Sequence, residues 1–178
     1  MLRKSSVFLV GAIIVLISTS CSDKDENKIR TPEEESELKA TQFEAFILNK
    51  GFRPVAFYSD KPIDYFEDDN EVKSETDLWS HVKPHIRDDK NTFTLPNLIT
   101  VEQNKDKIAG IDSAILKRNW KITHSRAGVF LDFIDFNYVP RSYKLQEFTN
   151  NTFTIYLNWT SRDRATSATL FTKYQLLP

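Results

Sequence analysis

Asn151-Thr-Phe-Thr-Ile-Tyr-Leu-Asn-Trp-Thr160 alternates without a break. Phe153, Ile155, Leu157 and Trp159 fall on one parity, and Thr152, Thr154, Tyr156 and Asn158 on the other. Successive side chains of an extended chain point to opposite faces, so this period of two marks a strand with one buried face. Residues 168–177 repeat the pattern, with Ala168, Leu170, Tyr174 and Leu176 in phase. These two stretches make the chain a β protein and set the scale for reading the rest.

Working back from them, strand patterns fall at residues 52–58, 91–95, 98–103, 119–124, 129–136 and 142–148, giving eight in all. The first is irregular at Pro54. Residues 129–136 are apolar on both parities, which predicts burial on both sides or a bulge. Asp132 interrupts that run, and a bulge turning it outward is the simplest account; an inward Asp132 needs a cation such as Arg126 or Arg141. The later links are short and built from turn residues: Asn97, residues 125–128, Pro140-Arg141 and Asn150. Short links make sequential antiparallel neighbours. The fold expected is mainly β, an eight-stranded antiparallel meander closing into a small barrel, because closure removes exposed edges. A two-sheet β-sandwich is the alternative. No strand set carries a lipid-facing apolar band, so a membrane-spanning barrel is not expected.

Ahead of the strands, Thr31-Pro32-Glu33-Glu34 starts a helix. Thr31 caps, Pro32 suits the first helical position, and Glu34 completes a capping box. Phe43, Phe46 and Ile47 follow at helical spacing, with Leu38 further up, and Gly51 is the expected stop, giving a helix over 32–50. Residues 59–75 read as a polar, acidic loop. Residues 76–82 suggest a helical turn stopped before Pro84.

The N-terminus is of another kind. Arg3 and Lys4 precede an apolar run over residues 7–17, then Ser18-Thr19-Ser20 and the sole cysteine, Cys21. The run is too short for a spanning helix, which needs about 20 residues. It suits a secretory h-region of roughly 7–15. Ile17-Ser18-Thr19-Ser20-Cys21 resembles a lipobox, with Ser18 where an aliphatic residue is usual. The resemblance implies a bacterial lipoprotein: residues 1–20 a signal peptide, Cys21 the lipidated mature N-terminus, and residues 21–31 a flexible charged tether. Two or three acyl chains anchor firmly where one binds marginally. Cys21 is then committed to lipid and is not a nucleophile or metal ligand. No Asp directly follows Cys21, and Ser22-Asp23-Lys24-Asp25-Glu26 is acidic. Both features resemble Gram-negative lipoproteins of the outer membrane, facing the periplasm or the cell surface. Removing Arg3 and Lys4 from 24 basic residues leaves 22 against 25 acidic, a formal charge of −3. That is too mild to imply a nucleic-acid partner.

The remaining body, residues 32–178, reads as one domain of a helix followed by a barrel over 52–177. Its layout resembles the lipocalin-like domains of bacterial lipoproteins. The carrying features are the lipidated Cys21, a short helix, Gly51-Phe52 opening the first strand, and a long loop. Then come His85-Ile-Arg-Asp88-Asp89-Lys-Asn-Thr-Phe93 and Asn119-Trp120-Lys-Ile122. The resemblance implies a barrel able to hold a small apolar molecule or glycan.

The ligand-binding residues expected are the inward-phase Trp120, Phe153, Ile155, Leu157, Trp159 and Leu170, with His124 at a strand end in phase with Trp120. The alternative is a filled barrel acting as a non-catalytic accessory lipoprotein. It would dock an envelope protein complex through the acidic loop over 63–77 and the tether. Asp112-Ser113-Ala114 resembles an O-glycosylation acceptor triplet, which makes Ser113 a candidate. His81, His85, Asp88 and Asp89 are metal-type ligands, but Pro84 breaks the helix that would align the two histidines, so no metal site is expected. Glu67-Asp68-Asp69 lacks calcium-loop spacing. With four glycines in the chain and no phosphate-loop, nucleophile-elbow or zinc-protease motif, neither a cofactor nor enzymatic activity is expected.

Overall fold

The computed structural model describes residues 29–64, 74–110, 115–134, 140–161 and 164–178. The expected signal peptide, Cys21, most of the expected tether, the Glu67-Asp68-Asp69 cluster and Ser113 lie outside the described residues.

Helix α1 (Pro32–Ile47) leads into β1 (Gly51–Asp64) and the short β2 (Ser74–Asp77). A 3-10 turn (Trp79–His81) and a five-residue helix α2 (Pro84–Asp88) follow. Then come β3 (Lys90–Thr94), β4 (Leu98–Glu102), β5 (Ile115–Ser125), β6 (Gly128–Ile134), β7 (Pro140–Phe148), β8 (Thr152–Thr160) and β9 (Ser167–Leu176). From β3 to β9 each strand pairs antiparallel with the next. β9 pairs back onto β1, from Phe52↔Leu176 to Ser59↔Leu170. β1 and β3 join at Gly51↔Thr92 and Phe52↔Asn91. These pairings close an eight-stranded antiparallel barrel and replace the sandwich alternative, which would leave β1 and β9 on separate edges. β2 is a ninth strand laid on the far half of β1. Among the described residues no helix is long and apolar enough to cross a membrane.

Register carries the alternation right round the ring. Phe153, Ile155, Leu157 and Trp159 face Tyr174, Thr172, Leu170 and Ala168 across β8 and β9. Residues opposite one another share a face, so the inward phase propagates strand by strand. It takes in Leu131 and Phe133 on β6, Leu116, Arg118 and Trp120 on β5, and Ile99 and Val101 on β4. Asp132 points outward, where it accepts from Thr123 Oγ1 at 3.2 Å and Ser142 Oγ at 2.5 Å. Plain alternation puts it there: β6 has regular register on both sides, so the expected bulge is absent. The irregularities fall instead in β1, between Pro54 and Ala56 against β9 and between Tyr58 and Ile63 against β2, and in β7, between Leu145 and Glu147. β5 and β6 turn through Arg126-Ala127, and Gly128 closes the pair at φ +126°, a conformation that suits glycine.

α1 is capped as its sequence requires. Thr31 accepts from the Glu34 amide, and the Glu34 carboxylate accepts from the Thr31 amide at 2.8 Å. The helix stops at Ile47, short of the expected residue 50. Leu48 is already extended and bridges to Phe93, and Asn49 takes the left-handed conformation, leaving Gly51 free to open β1. Ser36, Ala40, Phe43 and Ile47 form its buried stripe, while Leu38 is exposed.

α1 lies against β5 and β6 and plugs one end of the barrel with aromatic rings. Phe43 meets Phe153 edge-on at 5.4 Å and Phe148 at 5.6 Å. Phe46 reaches Phe52 at 5.4 Å, Phe52 meets Phe153 at 5.1 Å, and Phe93 meets Trp120 at 5.4 Å. Edge-to-face pairs of this kind add about 0.5–1.5 kcal/mol each beyond burial.

Candidate ligand cavity

The opposite half of the barrel is only partly filled: Ile63, Leu78, Ala168 and Leu170 pack together on one side of it. β3 begins only at Lys90, so beyond Phe52 the edge of β1 has no β3 partner, and Pro54 has no N–H to give a ladder there. The gap is walled by the 3-10 turn and α2, both of which pack on β1. Behind that wall lies a cavity of about 240 Å³.

The wall is held at several points. The Leu78 amide donates to the Phe57 carbonyl at 2.9 Å, and the Trp79 amide to Asp77 Oδ1 at 3.0 Å. His81 Nε2 and Glu75 Oε2 sit 3.0 Å apart, joining the turn to β2. Arg87 donates to the carbonyls of Val82 and Ser80 and lays its guanidinium over Trp79. Asp88 accepts from the amides of Lys105 and Asp106 at 2.9 and 3.1 Å, fastening α2 to the segment after β4. The helical turn expected before Pro84 is present as the 3-10 turn. Pro84 then begins a helix instead of ending one, at the first-turn position where its missing N–H costs nothing.

The lining is apolar on most sides. Trp79, Val82 and Ile86 come from the wall, Pro54 and Phe57 from β1, Phe93, Ile99 and Val101 from β3 and β4, and Leu131 and Phe133 from β6. The polar groups are few: His81, Lys83, Asp89, Asn91, Arg118, Tyr143, Thr172 and Tyr174. Burial pushes the Tyr174 phenol up, and neighbouring Tyr143 adds to this, so Tyr174 stays neutral. Asp89 is 2 % exposed, and neither carboxylate oxygen has a hydrogen-bond partner among the described residues. Burial, and then the charge of Asp88, push its pKa up to about 7.

None of the seven residues expected to contact a ligand lines this cavity. Phe153, Ile155 and Trp120 belong to the core beneath it, and Trp120 donates its indole N–H to the Thr94 carbonyl at 3.0 Å. Leu157, Trp159 and Leu170 pack with Ile63, Leu78 and Phe57 in a second cluster beside it. His124 keeps the inward phase but sits exposed at the plugged end of β5. These residues share the inward phase of the cavity lining and lie at other heights along the barrel. Arg118, a charge in the inward phase between Leu116 and Trp120, was the available sequence signal. His81 lines the cavity, whereas His85 sits half-buried on α2 outside it. No group of three or more metal-type ligands assembles among the described residues.

No protein-family profile and no curated protein matches this chain.

Proposed function

We propose that the chain is a lipid-anchored envelope lipoprotein whose lipocalin-like barrel binds one small apolar molecule. The cavity carries this reading. An eight-stranded barrel either fills its interior with side chains or holds one small ligand, and here one half is filled and the other hollow. A 150 Å³ apolar cavity accepts benzene, so 240 Å³ suits a molecule of about ten non-hydrogen atoms. Predominantly apolar walls favour a hydrophobic body over a glycan. The polar minority is of the kind that orients a ligand. The filled-barrel docking alternative accounts for the plugged end and leaves the hollow end without a purpose. Anchoring rests on the leader and Cys21 of the sequence.

Native mass spectrometry of the full chain, released gently from a bacterial envelope, tests the binding half. A retained mass of one to a few hundred daltons that leaves on denaturation supports it. A bare mass, reproducible across preparations, overturns it. Cys21→Ala tests the anchoring half: the variant is expected in the soluble fraction, and retention in the membrane fraction overturns it.

A further inference from the structure

In the lining, both oxygens of the Asp89 carboxylate lack a hydrogen-bond partner among the described residues. Asp89 continues the inward parity of Phe93 and Asn91, and its carboxylate is buried at the cavity wall. Its neighbour Asp88 is spent on the Lys105 and Asp106 amides. Asp89 receives nothing from any described residue. An ionised carboxylate buried without a partner costs several kcal/mol, and the charge acting on it, that of Asp88, is repulsive. Such a position persists most readily where an occupant supplies the missing donor.

The surroundings say what kind of donor. Phe57, Trp79, Phe93 and Phe133 bring aromatic rings to the same space, and ring faces attract cations. Of the other charged or titratable groups, His81 is engaged by Glu75, Lys83 is exposed, and Arg118 donates from Nη1 to the Lys117 carbonyl at 2.9 Å. Tyr143 and Tyr174 come from β7 and β9. Asp89 is the one carboxylate among the described lining residues. We propose that the cavity binds a small apolar amine, its ammonium group paired with Asp89 and its hydrocarbon body against the aromatic walls. This rests on the barrel being a binding module and names the class of molecule bound. At pH 8 the empty site is mostly ionised, since Asp89 sits at about 7, and a bound ammonium holds it ionised.

The test compares three probes of matched size on the full chain at pH 8: 2-phenylethylamine, 2-phenylethanol and propylbenzene. A charge-assisted hydrogen bond contributes about 1.5–3 kcal/mol, and 1.4 kcal/mol is tenfold, so the amine is expected to bind at least about tenfold tighter than the other two. Asp89→Asn should abolish that preference and leave propylbenzene binding unchanged. Should the variant not fold, the Asp89 carboxyl ¹³C resonance of the wild-type chain is read instead, and it should shift with the amine and not with propylbenzene. Equal binding of amine and propylbenzene, or an amine preference that survives in Asp89→Asn, overturns the amine inference while the cavity reading stands. If none of the three binds, the cavity reading falls and the inference with it.

Discussion

The two ends of the barrel are built from the same alternating strands and differ in what fills them. At the α1 end, Phe43, Phe46, Phe52, Phe93, Phe148 and Phe153 interlock, and Phe153 also stacks on Tyr174 at 4.8 Å. At the other end, inward positions are taken by Arg118, Thr172, Tyr143 and Asp89, and a short helical wall replaces a strand pairing. A uniform meander thus supports a solid half and a hollow half. The solid half carries the folding free energy. The hollow half can then hold polar groups and empty space that a marginal core would not tolerate.

The sharpest way to break that comparison is to remove a ring from each end. Phe153 is fully buried and touches five other aromatic side chains. Phe153→Ala is expected to lose about 3–5 kcal/mol in denaturant unfolding. Phe133, stacked on Tyr143 but bordering the cavity, already lacks neighbours on one side, so Phe133→Ala should cost only about 2 kcal/mol. Equal losses would mean that the cavity is filled in solution and that the two halves do not differ.

Asp89→Asn comes next, and its sign is opposite. The folded-state pKa of Asp89 is raised, so the folded chain holds a proton that the unfolded chain releases between about pH 4 and pH 7. The stability contributed by this group is complete at low pH and lost as pH rises through that window. Asparagine removes the penalty, so the variant should be about 2–3 kcal/mol more stable than wild type at pH 8 and no more stable at pH 4. Chemical denaturation at the two pH values checks this. A variant no more stable than wild type at pH 8 would show that Asp89 finds a partner in solution.

Thr31→Ala addresses the plug from outside. Losing the hydroxyl that accepts from the Glu34 amide should cost about 1 kcal/mol, since the reciprocal bond from the backbone amide of residue 31 is kept. Because α1 closes only the filled end, binding of propylbenzene to the cavity should stay unchanged. A parallel loss of probe binding would show that the two ends are mechanically coupled.

The asymmetry between the ends also explains what the sequence reveals. All eight ring strands were legible because each buries one face, and residues 151–160 show the alternation undiluted. The meander followed from short links such as Arg126-Ala127. The cavity wall was not legible. Ser74–Asp77 is a strand of four polar residues with no period to see, and Pro84 carries the same signature whether it stops a helix or starts one. The residues expected to contact a ligand fall outside the cavity for a related reason. Perfect alternation is strongest where packing is tightest, so choosing inward residues from β8 chose the core. A cavity leaves a different mark, polar or charged residues in the inward phase, and Arg118 and Asp89 bear it.

The smallest expected effect tests whether the wall is a separate unit. Glu75 and His81 join the 3-10 turn to β2 at 3.0 Å, with side chains 35 % and 30 % exposed. A half-exposed pair of this kind contributes at most about 0.2–1 kcal/mol to global stability. Glu75→Gln should therefore barely move the unfolding midpoint. Locally the case differs, because the turn has few other ties: the Leu78 amide to Phe57, the Trp79 amide to Asp77, and the clamp from Arg87. Hydrogen exchange at the His81 and Val82 amides, which close the turn, should quicken while the β8 and β9 amides hold their rates. Faster exchange confined to the wall would make it the door of the cavity, since among the described residues it stands between solvent and the gap that β3 leaves beside β1. Exchange quickening throughout β8 and β9 would mean that the wall and the barrel open together, and the hollow half would then be a property of the whole ring.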